Sequence, residues 1–284
     1  MLRRFEVHRA RTVDEAVALR VKYGDDAAVY AGGTELLLAM KLGVARWRHL
    51  VDVKPIPELR GVRATDSLLT IGASVTHWEL ERDATIARAI PTLAQLERNV
   101  ANVRVRAAGT LAGNIAFAEP HADPPTLLNA LGARIVVHGS GGRRVLPIAE
   151  FVTGMYETGL GPDEIVVAIE VPVPRQGVRA SYVKFQILER PSVGVAIAGE
   201  LRDGRFADAP TVFVGAVDEV PRRVDAHGLL GADAADARTA DALADAARRS
   251  VDPVADLAGG VDYKRHVVGV FARRALDALA AQAA

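Results

Sequence analysis

The chain has 284 residues, of which 50% are hydrophobic and 25% charged; a core is well supplied, wholesale disorder is excluded, and at about 150 residues per domain roughly two domains are expected. With 35 basic and 35 acidic residues the formal net charge is zero, which excludes bulk electrostatic attraction to nucleic acid or an anionic membrane. There is no cysteine, so disulfides, cysteine-ligated zinc, an iron–sulfur cluster on this chain and a thiolate nucleophile are excluded.

The opening residues, MLRRFEVHRA, lack the apolar stretch of a signal peptide. No apolar run approaches the roughly 18 residues that span a bilayer, and a cytoplasmic protein is expected. Thr12 and Glu15 have the spacing of a capping box, followed by a helical face at Ala16, Leu19 and Tyr23 and a C-cap at Gly24. A short buried strand is expected over 27–31. Gly32-Gly33 breaks it, with a helix over 34–42 and another strand over 49–53, so the first 50 residues read as a small α/β unit. Pro55 and Pro57 punctuate the chain. A hairpin follows over 61–71, turning at Asp66-Ser67. Thr76 and Glu79 form a second capping-box pattern, opening a helical stretch interrupted at Pro91.

Residues 107–125 read as a loop and 126–131 as a helix. A hairpin flanks Gly139–Gly142, and a strand over 164–171 ends at Pro172 and Pro174. That proline pair with Gly177 marks a domain boundary. Beyond it lie strands over 179–188, 193–201 and 211–217, with Asp203-Gly204 as a hairpin turn, then two helical stretches over 236–249 and 263–279. The C-terminal part reads as three antiparallel strands packed on helices.

No phosphate-binding P-loop, G-x-G-x-x-G, G-x-S-x-G or H-E-x-x-H motif is present, and the seven histidines show no metal-ligand spacing; no metal is expected on the chain. Two glycine-bearing segments stand out. Ala31-Gly32-Gly33-Thr34-Glu35 lies between strand and helix, where glycines admit close approach and free N–H groups at a helix start face an anion. The competing explanation is a tight turn with Thr34 as an ordinary N-cap. Thr110-Leu111-Ala112-Gly113-Asn114, after Gly109, offers small residues with exposed N–H groups, or a simple β-turn. Asp123, in the proline-rich Glu119–Pro125 stretch, is open to two roles, a functional carboxylate or the N-cap of the following helix.

In this order, Ala31–Leu36, Thr110–Asn114 and Pro120-x-x-Asp123 closely resemble the FAD-binding medium subunit of the molybdenum hydroxylases, the group of carbon monoxide dehydrogenase, xanthine dehydrogenase and aldehyde oxidase. The likeness runs from Phe5 to Asp262-Tyr263-Lys264-Arg265-His266. It implies an α+β chain with a vanillyl-alcohol-oxidase-like (PCMH-type) fold. Residues 1–174 would form the FAD-binding domain, in two α/β subdomains of 1–55 and 56–174, and 175–284 a C-terminal domain of antiparallel strands packed on helices. It further implies noncovalent FAD, with Ala31–Glu35 and Thr110–Asn114 gripping the diphosphate from two sides. Asp123 would hold the ribityl and flavin portion, Val166 would lie beside the flavin ring, and Lys184 near the flavin end. Molybdopterin and [2Fe-2S] clusters are expected only on partner chains, a large and a small subunit.

Two departures stand out. Ala112 replaces the first of two consecutive glycines, at a cost of roughly 1–2 kcal/mol if the position needs positive φ and little if it needs only close approach. The stretch 186–192 lacks the basic, glycine-containing run of relatives. Three readings follow: an electron-transfer subunit of a larger dehydrogenase, a stand-alone FAD-dependent oxidoreductase acting on a small molecule, and a flavinless scaffold.

Overall fold

The computed structural model describes residues 2–187 and 189–282. It opens with β1 (Glu6–Arg9), α1 (Val13–Tyr23), β2 (Ala27–Tyr30), α2 (Leu36–Leu42) and β3 (His49–Asp52). The three strands form a parallel sheet in the order β1-β3-β2. This is the expected small α/β unit, with β1 as an additional edge strand that its exposed side chains did not announce. Thr12 caps α1 by accepting from the Glu15 N–H, but the Glu15 carboxylate takes the Arg11 N–H, not that of Thr12, so the box is only half closed.

Next come β4 (Val62–Ala64), β5 (Leu68–Gly72), α3 (His77–Leu80), α4 (Ala84–Ala89), α5 (Pro91–Arg98), α6 (Val103–Ala108), α7 (Leu111–Phe117) and α8 (Pro124–Ala130). The Thr76 box is complete: its hydroxyl accepts from the Glu79 N–H and its own N–H reaches the Glu79 carboxylate at 2.7 Å. The expected loop over 107–125 is corrected, because much of it is helical. Asn102 and Thr110 supply the side-chain caps that start α6 and α7, two helices of only six and seven residues.

Then follow β6 (Arg134–Gly139), β7 (Gly142–Pro147), α9 (Ile148–Phe151), β8 (Val152–Gly154), β9 (Glu157–Thr158) and β10 (Ile165–Pro172). The second sheet runs β4-β5-β10-β6-β7, antiparallel throughout.

The last elements are β11 (Val178–Gln186), β12 (Pro191–Arg202), β13 (Arg205–Phe206), β14 (Thr211–Gly215), β15 (Arg222–Val224), α10 (Ala237–Arg249) and α11 (Val261–Ala280). The third sheet, β11-β12-β14-β15 with β13 on β12, is antiparallel. It therefore has two more strands than the three expected, while the end of the strand expected over 179–188 lies outside the described residues at Leu188. The fold is α+β, with antiparallel sheets beside the small parallel one.

This third sheet is buried on both faces, which explains the unbroken run of small and apolar residues over 193–198 in β12. Val193, Val195 and Ile197 pack with α10 and α11 in one core. The alternate positions Ala196 and Ala198, with Ala180, Tyr182 and Phe213, pack into the larger core formed mostly by the first 171 residues. The period of two along β11 thus aims Tyr182 and Lys184 toward the first part of the chain. Gly194, the register partner of Lys184, leaves room for the Tyr182 ring. No helix among the described residues is long and apolar enough to cross a membrane.

Candidate functional site

The two glycine-bearing segments meet. A β-carbon on Gly32 would overlap the Ala108 carbonyl oxygen and lie 2.6 Å from the Gly109 α-carbon, so the turn after β2 lies backbone to backbone on the turn between α6 and α7. Thr34 Oγ1 sits beside Gly109, 3.3 Å from where its β-carbon would be. Gly33 has φ of +71°, which supplies the turn from β2 toward α2. Ala31 is fixed through its carbonyl, which accepts from Lys54 Nζ at 3.2 Å. Thr34 is not the N-cap of the following helix: α2 begins one residue later than that reading requires, Glu35 is the cap residue, and neither side chain makes a capping bond. Among the described residues no intramolecular acceptor is seen for the N–H groups of Gly32, Gly33, Thr34 and Glu35. Gly32, Gly33, Thr34, Leu37, Leu38 and Lys41 line a concavity of about 330 Å³ at this turn.

The second segment is a helix start and not an open loop. Thr110 is the N-cap, its hydroxyl accepting from the Gly113 N–H at 3.0 Å. Leu111 N–H donates to Val75 and Asn114 N–H to Thr110. Most of the expected exposed donors are therefore already used. Ala112 is helical and buried, so a methyl there needs no positive φ and costs no backbone strain. Asn114 Oδ1 is buried without a partner among the described residues. The segment is propped from behind: the Gly109 carbonyl accepts from the His77 N–H, and the His77 ring is bonded to buried Glu97 at 2.5 Å.

Asp123 precedes α8 but makes no capping bond. Its carboxylate is buried and accepts from the Tyr182 hydroxyl at 2.7 Å and from Lys184 Nζ at 3.0 Å. Burial pushes the Asp123 carboxyl up against the opposing pull of Lys184 and Tyr182. Burial and the adjoining Asp123 charge push the Tyr182 phenol well above its ordinary range, so it stays protonated and donates to Asp123. Lys184 also donates to the Asn99 carbonyl at 2.7 Å, so its charge is already paired. Val166 lies half-buried at the bulge of β10, packed on the first core, and no hydrogen bond joins it to these groups among the described residues.

Sequence reasoning missed a further network. The Arg190 guanidinium reaches Glu35 at 2.8 Å and Glu119 at 2.5 Å, linking the first glycine turn to the proline-rich stretch before α8. Burial raises the Glu119 carboxyl, but hydrogen bonds from His121 and Tyr156 together with Arg190 prevail and hold it at about 2. Burial and the Glu119 carboxylate push Tyr156 up to about 12. No local pattern in the sequence points to it, because Arg190, Tyr156, Glu35 and Glu119 come from distant parts of the chain.

Residues 3–174 match the family described as the FAD binding domain in molybdopterin dehydrogenase, and residues 189–279 match the CO dehydrogenase flavoprotein C-terminal domain. The chain is 35% identical to the carbon monoxide dehydrogenase medium chain of Hydrogenophaga pseudoflava, over 99% of both chains. It is 30% identical to the medium chain of the same enzyme in Afipia carboxidovorans, over 98% of both. Among solved structures, it superposes with a TM-score of 0.95 on a chain of the H. pseudoflava carbon monoxide dehydrogenase lacking the Mo-pyranopterin moiety of its molybdenum cofactor, at 35% identity and 99% coverage of both chains.

Proposed function

The chain belongs to the family of FAD-binding domains of molybdopterin dehydrogenases, and on that premise we propose that it is the FAD-binding, electron-transferring subunit of a molybdenum hydroxylase complex. A molybdopterin-binding large subunit and an iron–sulfur small subunit would be its partners, and its own lack of cysteine is consistent with clusters held elsewhere. The observation that carries the reading is the backbone contact of Gly32 with Ala108 and Gly109, which joins the two segments at one place.

The residues present fit the cofactor's anionic diphosphate. Gly32 through Glu35 offer N–H groups without intramolecular acceptors, beside a concavity that their glycines leave open. On the second side the Ala112 N–H, without an intramolecular acceptor among the described residues, adds one further donor, while the buried Asn114 Oδ1 is an acceptor and would take a hydroxyl of the cofactor, not a phosphate oxygen. FAD, when bound, supplies the exchange between single electrons and electron pairs that no side chain of this chain can perform. Asp123, fixed by Tyr182 and Lys184, would orient the far end of the cofactor as a hydrogen-bond acceptor, and Val166 would give it an apolar neighbour. Glu35 and Arg190 hold the first turn against the C-terminal part of the chain. The division into 1–174, with subdomains 1–55 and 56–174, and 175–284 belongs to the same proposal, as does action in the cytoplasm.

The test is purification from the native source. The proposal expects one FAD per chain, two co-purifying partners, and flavin reduction by the complex's substrate only while the partners are present. A flavin-free chain would overturn it in favour of a scaffold. Reduction of the isolated chain's flavin by a small organic substrate would favour a stand-alone oxidoreductase, the reading to which the altered stretch 186–192 points.

A further inference from the structure

Glu6, His8 and His49 converge at the edge of the parallel sheet. His8 Nε2 and His49 Nδ1 are 3.0 Å apart, and Glu6 Oε2 lies 3.7 Å from each. Parallel pairing produces this arrangement from residues 41 positions apart. Glu6 stands opposite His49 in register, and His8, two residues on, lies on the same face of β1. We propose that these three side chains form a binding site for one zinc ion, with a fourth position open to water.

The donor spacing supports the site. Zinc bonds of about 2.0–2.2 Å to nitrogen and oxygen in tetrahedral geometry place neighbouring donors roughly 3.3–3.6 Å apart. The three observed separations bracket that range. Two imidazoles with one carboxylate favour a borderline transition metal over calcium or magnesium, which select oxygen donors. In the metal-free arrangement the two rings share one N–H between facing nitrogens; zinc replaces that proton as the proton moves to the outward nitrogen of its own ring.

The rings are already oriented. The Tyr23 ring stacks on His49 at 3.8 Å and on His8 at 4.8 Å between centroids. The cluster is reachable from solvent, because the His8 and His49 side chains are about one-fifth exposed and that of Glu6 is largely exposed. The neighbouring cation Arg48 is neutralised by Asp26. Lys22 lies over the Tyr23 ring at 4.8 Å. Zinc there would tie β1 to β3. Among the described residues β1 is short, sits at the sheet's edge, pairs with β3 alone and buries none of its side chains fully, so such a tie would add to its backbone pairing.

The test uses the untagged full-length chain in chelator-treated buffer at neutral pH. Calorimetric titration with zinc chloride is expected to show one ion per chain, no comparable uptake of magnesium, and a melting temperature that rises with zinc concentration. Cobalt(II) substitution should give the visible absorption of a tetrahedral nitrogen and oxygen site. His49→Gln and the exposed-site variant Glu6→Gln should each weaken zinc binding by about tenfold or more while leaving the far-ultraviolet dichroism unchanged. Absence of binding to the parent chain would overturn the proposal. So would full-affinity binding by Glu6→Gln and a His8→Gln/His49→Gln double variant.

Discussion

Replacing Gly32 by alanine should part the two glycine-bearing segments. Its backbone is not in the left-handed region, so the effect is steric. The new methyl would lie 2.6 Å from the Gly109 α-carbon, where ordinary van der Waals contact begins at 3.4 Å. Both neighbours are backbone, so no rotamer change can relieve the overlap, and the turns must separate by about 1 Å. Overpacking of this kind costs about 1–3 kcal/mol; at 2 kcal/mol lost from the assembled site, FAD binding weakens by roughly 30-fold. The assay is titration of apo-protein with FAD, followed by quenching of flavin fluorescence, with thermal melts alongside. Ala112→Gly is the control. The resemblance implies a glycine there, but because the position is helical the change should leave FAD affinity unchanged and cost about 0.5–1 kcal/mol of stability. Wild-type FAD affinity in Gly32→Ala would refute the reasoning, as would a marked gain of affinity in Ala112→Gly.

The Asp123–Lys184 pair should respond asymmetrically. Lys184→Met strands a buried carboxylate and should destabilise by about 3–5 kcal/mol, whereas the double variant Asp123→Leu/Lys184→Met should recover much of that loss; denaturant midpoints of the three proteins decide it. Gly33→Ala should lower stability by roughly 1–2 kcal/mol through its positive φ alone, and should also displace the Tyr30 ring, which a calorimetric melt and near-ultraviolet dichroism would register. Acid should weaken the Glu119 network. The folded carboxyl titrates at about 2 against an ordinary 4.5, so the unfolded chain takes up its proton first as the pH falls. The stabilisation is complete above about pH 4.5 and is lost on acidification toward pH 2. Arg190→Ala should flatten that part of the pH–stability curve, measured by thermal melts from pH 2 to pH 6; an unchanged curve would remove Arg190 from the network.

Local signals were legible where the partner lies within a turn. The Thr76–Glu79 box needs only three residues of helix, and Gly33 needs only its own φ; both read directly from the sequence. Residues 107–125 did not read as helix because Gly, Ala and Asn carry little amphipathic pattern, and α7 exists through one hydroxyl cap and packing against distant elements. Asp123 was legible as important but not for its reason. A carboxylate before a helix suggests a cap, yet the bonds it makes come from β11, some 60 residues on. Likewise His8 and His49 had no common motif, because only the parallel pairing of β1 with β3 brings them together.

The zero net charge gains a physical meaning at the site. The cations around it are already committed, Lys184 to Asp123 and Arg106 to Glu81 from largely buried positions, and Arg190 to Glu35 and Glu119 and Lys54 to Asp52 from half-exposed ones. Lys41 lines the concavity, but from an exposed position where solvent screens its charge. An anionic cofactor held here must therefore meet backbone N–H dipoles first. Those donors are fixed by the fold and cannot reorient toward solvent, so they act without the side-chain entropy that a cluster of flexible lysines would lose on binding. This is why the contact of Gly32 with Ala108 and Gly109 matters more to the proposed function than any single charged residue. It sets the positions of the unbonded donors on the first turn relative to the second, and a charge substitution at the rim cannot replace that geometry.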